Sequence, residues 1–207
     1  MMVGSSNFCF LVLQKINNMK KIALLMTVLS VVSIGWSQTK KTKEYHGVSF
    51  YTETTINEVP VVINGAGVRE KYFMDMYVAA LYLKKKSSDA SKIISADEEM
   101  GIHLKLVSSM VTRDKFKTAV TEGFKNASSG KATQEEQKKF MTCLSDEFKE
   151  GDKIYFDYVP SKGVRIYKNG DLKGTIPGLE FKKALFAIWL GSSPAQESLK
   201  NEMLDKE

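Results

Sequence analysis

Residues 59–83 read VPVVINGAGVREKYFMDMYVAALYL. Residues 59–64 form a short apolar strand that stops at Gly65-Ala66-Gly67. Residues 68–83 then run from a mixed, aromatic start into a continuously apolar end. That pattern reads as a hairpin whose second arm, Met76 to Leu83, is central in a sheet. Ala79 and Ala80 keep an amphipathic helix open as the competing reading. In the hairpin, Arg69 sits in a strand that faces a core. A guanidinium there needs an acceptor, because burying it unpaired is costly. The acceptor is either internal, Asp75 or Glu70, or an anionic ligand whose carboxylate or enolate suits the planar fork. Gly65 and Gly67 supply a positive-φ turn or a close backbone approach. The missing Lys-Ser/Thr and the missing helix start exclude a phosphate loop.

Outward from this stretch, sheet and helix signals come in blocks. Residues 47–56 (GVSFYTETTI) alternate as one strand. Residues 89–95 form a short helix. In residues 101–110, Ile102, Leu104 and Leu106 share one face and His103 and Lys105 the other, which makes a strand with His103 facing solvent or at an edge. Thr112 caps a helix over 113–127, with Phe116, Ala119, Val120 and Phe124 at helical spacing. Thr133 and Glu136 form a capping box that opens a second helix, with Phe140, Cys143, Leu144 and Phe148 inward. Joined through Ser128-Ser129-Gly130, the two read as a helical hairpin. Residues 153–159 and 164–168 are strands, and Asn169-Gly170 turns the chain into a return arm over 171–175. Residues 179–190 (LEFKKALFAIWL) are helical, with Phe181, Leu185, Ile188 and Trp189 apolar. Ser193-Pro194 opens a last helix that ends near Leu204. The order implies an α+β domain built on an antiparallel sheet.

The N-terminal region has a different character. Lys20 and Lys21 precede the uncharged run 22–34 (IALLMTVLSVVSI), and Gly35-Trp36-Ser37 places small residues before a cut at Gln38. This is the grammar of a cleaved secretory signal. The run is shorter than the about 20 residues a membrane-spanning helix needs. The expected organisation is therefore an upstream extension over 1–18 with Met19 as initiator, a signal peptide over 19–37, a flexible leader over 38–46, and a domain over 47–204. The mature protein is expected in the periplasm or outside the cell, with no membrane span after cleavage.

Composition narrows the chemistry. The 207-residue chain carries a net charge of +6. Three of those charges, Lys15, Lys20 and Lys21, and no acid precede Gln38, which leaves +3 on the remainder. That excess is too mild for a nucleic-acid partner. Cys9 and Cys143 are the only cysteines. Cys9 precedes the cut, so the mature chain has no internal disulfide, and Cys143 on an apolar face reads as a buried thiol. His46 and His103 have no cysteine or acidic cluster around them and form no zinc site. No nucleophile elbow, dinucleotide fingerprint or paired-carboxylate motif is present, so neither a metal nor a cofactor is expected. The sequence does not set the oligomeric state.

The run Asn64-Gly65-Ala66-Gly67-Val68-Arg69, followed by Tyr77-Val78-Ala79-Ala80-Leu81-Tyr82-Leu83, resembles the chalcone isomerase-like superfamily in its bacterial secreted branch. The helix from Arg113 through Glu122-Gly123-Phe124 and the closing Ile188-Trp189-Leu190-Gly191 with Pro194 are similar as well. The resemblance covers residues 47–204. It implies an open-faced sandwich, an antiparallel sheet with helices layered on one face and a ligand cleft between the layers. In the plant enzymes a phenolate adds within a chalcone to form a flavanone, and an arginine stabilises the developing anions. Arg69 stands at that position and is the only candidate catalytic residue. The family's catalytic threonine falls at Tyr77, its helix tyrosine at Phe116, its helix asparagine near Gly123, and its late threonine or serine near Ile188. Each lost hydroxyl or amide removes a contact of order ~1–3 kcal/mol, which argues against chalcone cyclisation. Another branch of the superfamily binds fatty acids, with an arginine and a tyrosine on the carboxylate. Arg69 with Tyr77 or Tyr72 fits that role, and Phe116 and Ile188 suit an acyl chain. The resemblance thus implies a binding protein for a small apolar carboxylate. The alternatives are an isomerase or intramolecular lyase on another substrate, and a structural envelope protein in which Arg69 is a buried ion pair with no pocket beside it.

Overall fold

The computed structural model describes residues 41–206. The expected signal peptide and upstream extension lie outside the described residues. The described residues form nine strands: β1 Thr42–Tyr45, β2 Val48–Tyr51, β3 Glu53–Ile56, β4 Val59–Lys71, β5 Met74–Leu83, β6 Met100–Leu106, β7 Lys153–Val159, β8 Gly163–Lys168 and β9 Asp171–Ile176. Strands β3 to β9 pair in sequence order as one seven-stranded antiparallel sheet, and β1 and β2 form a separate hairpin. Five helices follow the strands they serve: α1 Ala90–Ser95, α2 Arg113–Asn126, α3 Gln134–Cys143, α4 Leu179–Leu190 and α5 Glu197–Met203. Lys40–Glu207 is one compact unit with its own core, which is what an independently folding domain requires.

Period two divides the sheet between two cores. Ala79, Leu81 and Leu83 of β5, Ile102 and Leu104 of β6 and Phe156 of β7 join the helices in the larger core. Val78, Ala80 and Tyr82 turn the other way, under Val48 and Phe50 of the β1–β2 hairpin. The helices therefore cover one face and the small hairpin part of the other. The second hairpin arm is a strand as expected, and its alanines are small residues on a sheet buried on both sides.

The structure corrects several boundaries. Residues 42–45, expected in a flexible leader, are strand β1. They take up the backbone bonds of β2, and Tyr45 packs on the smaller core. The single strand expected over 47–56 is two, because the chain changes sheets at Thr52, whose N–H bonds Lys41 O while its carbonyl accepts from Ile63. Strand β4 does not stop at the glycines. A Cβ on Gly65 would lie 2.1 Å from Glu202 O, and one on Gly67 would lie 2.7 Å from Glu202 Cβ. Close approach by α5, and not a turn, is why they are glycine. The expected helical hairpin does not form as a pair. α2 packs on α4 and α3 packs on β9, with Phe124 and Phe140 in ring contact between them at 5.9 Å. Two further glycines make these dockings possible: Gly123 against Ile188, and Gly174 against the Cys143 sulfur. The last helix starts at Glu197, not at Pro194. His103 does oppose the core leucines, but β6 is the middle strand, so His103 is neither exposed nor at an edge. It is 8% exposed, stacked on Tyr155 at 4.0 Å, and hydrogen-bonded to Asp157 at 2.7 Å.

The tight turns differ in chemistry. Asn169-Gly170, with φ of 54° and 95°, is the expected pairing for such a turn. The β4–β5 turn uses Tyr72 and Phe73, at 54° and 62°. Left-handed backbone costs a residue with a Cβ roughly 1–2 kcal/mol.

Candidate functional site

Arg69 and Tyr77 stand directly opposite each other across the β4–β5 ladder. The register explains how: Glu70 pairs with Asp75, and Met76 is the extra residue of a bulge, which brings Tyr77 level with Arg69. Directly paired residues project to the same face, here the face that the helices cover.

The expected ion pair of Arg69 with Asp75 or Glu70 is not what holds it. Arg69 Nη1 donates to the backbone carbonyl of Glu70 at 2.6 Å and to Gln196 Oε1 at 2.9 Å. Glu70 follows Arg69 along the strand, so its side chain points to the other face, and Asp75 stands opposite Glu70. Both acceptors are neutral oxygens, so they orient the guanidinium without cancelling its charge. Gln196 Oε1 also accepts from Glu70 N at 2.9 Å, and its Nε2 donates to Ser198 Oγ at 2.6 Å and toward Val68 O at 3.4 Å. Gln196 thus ties β4 to the segment before α5. Sequence reasoning missed it, because nothing local marks a lone glutamine 127 positions from its partner.

The Tyr77 hydroxyl accepts from Trp189 Nε1 at 3.1 Å and keeps its own proton to donate. Burial raises its pKa above the ordinary phenol value, against the smaller lowering effects of the Trp189 hydrogen bond and the Arg69 charge. Tyr77 is therefore a neutral O–H donor across the physiological range.

A cavity of about 400 Å³ opens between β4–β5, α2 and α4, and Arg69, Tyr77, Tyr72, Phe116 and Ile188 all line it. That volume is within the usual range for small-molecule sites. Tyr72 is at the rim and 72% exposed, and Phe116 and Ile188 are buried wall residues. Gly123 faces Ile188 so closely that a Cβ there would meet Ile188 Cγ2 at 2.7 Å. The amide on this wall is Asn126, one helical turn further along. One fixed cation and one neutral donor at one place, with apolar walls around them, match an amphiphilic monoanion. Cys143 and His103 are not among the lining residues.

A family model described as chalcone isomerase-like matches residues 42–205. The chain belongs to the chalcone isomerase-like family. The match begins at the first residue of β1, so the family domain includes that strand. Among solved structures, the crystal structure of a fatty-acid binding protein of Arabidopsis thaliana is similar, with a TM-score of 0.65 and 18% sequence identity over 80% of this chain and 96% of that one. At that identity the likeness is one of fold: the antiparallel sheet with helices on one face is the chalcone isomerase-like architecture. No curated protein matches the sequence. The positions that the family resemblance singles out, Arg69, Phe116, Gly123 and Ile188, all line this cavity.

Proposed function

We propose that this chain is an exported fatty-acid binding protein that holds the carboxylate between Arg69 and Tyr77 and the acyl chain against α2 and α4. The observation that carries the reading is the guanidinium of Arg69, held by neutral acceptors on the wall of an apolar cavity and level with a tyrosine O–H. A structural envelope role requires no pocket beside Arg69, and the 400 Å³ cavity counts against it. Export is supported by the signal-like grammar of residues 19–37 and by a family match that starts at residue 42, shortly after the proposed cut before Gln38.

Native mass spectrometry and lipid extraction of the purified protein test this reading. Bound fatty acid is the expected result, or a melting temperature that rises when fatty acid is added. At a free concentration a hundred times Kd the gain is about 2.7 kcal/mol. A ligand-free protein with an unmoved melting temperature sinks the proposal.

Chain length gives a second test. A methylene fills about the space of a water in the liquid, roughly 30 Å³, so the cavity accommodates about a dozen carbons. Affinity should climb about fourfold per methylene, the factor for roughly 0.8 kcal/mol, across saturated acids up to that length and then level off. A flat series measured by calorimetry would place the acyl chain outside the cavity.

A further inference from the structure

The β4–β5 hairpin ends in two aromatic residues at positive φ, Tyr72 and Phe73, where the β8–β9 hairpin uses Asn-Gly. Aromatic side chains disfavour that region of backbone space. Packing does not recover the loss, because Tyr72 is 72% and Phe73 106% exposed. Met74 follows at 40%, and Met110 is exposed at 37%. Tyr72 and Met110 share the cavity rim with Lys71 and Lys115. The Lys71 ammonium lies over the Tyr72 ring, 5.3 Å from its centroid. Single exposed apolar residues are ordinary. Three consecutive ones, two of them in a strained turn and the third opening β5, beside a cavity mouth are not.

We propose that this tip is a membrane-contact surface, on which Phe73 and Met74 enter the interface of an anionic bilayer and Lys71 and Lys115 meet lipid phosphates. Phe73 is a protruding point and not a groove, a shape that inserts into a soft surface. Tyrosine beside it is a residue type suited to the headgroup level. The cavity lining carries Arg69, Lys71 and Lys115 against one acid, Glu122, which favours an anionic surface. Behind the tip, Glu70 and Asp75 are the nearest acids by register, one step further from its end than Lys71 and Met74. The contact takes its purpose from the fatty-acid reading of the cavity, since a bilayer is where apolar carboxylates reside; its geometry stands without that reading.

Flotation of the Lys40–Glu207 domain with phosphatidylcholine vesicles doped with phosphatidylglycerol is the test. The wild-type domain should float, less so with undoped vesicles or at high salt. Phe73→Gly, which suits the positive φ and does not line the cavity, should cut the floated fraction about tenfold without lowering the urea midpoint. Its fatty-acid affinity in vesicle-free solution should match the wild type. Equal flotation of Phe73→Gly overturns the inference. So does a wild-type domain that stays at the bottom of the gradient, and that outcome turns the tip into a candidate protein-docking surface. If no fatty acid binds in solution while flotation still depends on Phe73, the cavity reading falls and the membrane contact stands.

Discussion

Gln196→Glu is expected to weaken fatty-acid binding about a hundredfold or more while leaving the domain folded. The substitution is nearly isosteric. It places a carboxylate oxygen where Gln196 Oε1 now lies, 2.9 Å from Arg69 Nη1. A carboxylate there turns a bond with one charged partner into an ion pair, a shorter and stronger contact for the guanidinium fork. The built-in carboxylate then neutralises the guanidinium and competes with any ligand at no cost in association entropy. Glu70 N, which now donates to Gln196 Oε1, remains satisfied. Arg69→Met should cost a similar amount by the opposite route, deleting the cation; removing one partner of a buried charged contact typically costs about 2–5 kcal/mol. Tyr77→Phe deletes only a neutral donor and leaves Trp189 Nε1 without its acceptor, so its effect on affinity should be smaller, of order ~1–2 kcal/mol. Calorimetric titration with a saturated acid of about a dozen carbons ranks the three. If Gln196→Glu binds as well as wild type, the carboxylate does not rest on Arg69.

The gross architecture was legible because its signals are local. Alternation in 101–106 and 153–159, the apolar run of β5, the caps at Thr112 and Thr133, and Asn169-Gly170 each act within a few residues. The five site residues read from the family resemblance all line one cavity. What stayed hidden depends on distant partners. Gly65 and Gly67 are explained only by α5, whose Glu202 lies more than 130 positions away. His103 is buried because Tyr82, Tyr155 and Asp157 close around it from neighbouring strands. Gln196 became part of the site through a bulge at Met76 and a loop that folds back on β4. The strand β1 was hidden for a different reason. Its residues are polar and mostly exposed, so its order comes from backbone pairing with β2, which side-chain patterning does not reveal.

The second large effect is on stability, at Lys182 of α4. The residue lies in the run LEFKKALFAIWL, and lysine is a residue type almost never fully buried unless paired. Lys182 is fully buried. Its Nζ donates to three backbone carbonyls, Ile93 and Ala96 at 2.8 Å and Ile94 at 2.9 Å. These are carbonyls at and just beyond the C-terminal end of α1, which a helix leaves without internal partners. Lys182 thus caps α1 from another helix, with its ammonium also over the Tyr158 and Phe186 rings. Lys182→Met keeps the length and apolar stem but strands three buried acceptors, at roughly 1–3 kcal/mol each before relaxation. Taking the low end for each of the three acceptors, the expected loss is about 3 kcal/mol or more, or a drop of order 10 °C in melting temperature for a domain of this size. The loss should also depend on pH. Desolvation pushes the Lys182 pKa down to about 7, against the ordinary lysine value of 10.5. The carbonyl cage opposes that push, since an ammonium brings three donors and an amine two. Between those values the unfolded chain holds a proton that the folded chain releases, so raising the pH favours folding. Above 10.5 both states are neutral and the dependence ends. Urea titrations of wild type and Lys182→Met at several pH values should therefore show a gap that widens from about pH 7 toward pH 10. A loss below about 1 kcal/mol would mean that water or a backbone shift replaces the cap. A gap that does not move with pH would mean that Lys182 holds its proton throughout, with the three carbonyls outweighing desolvation.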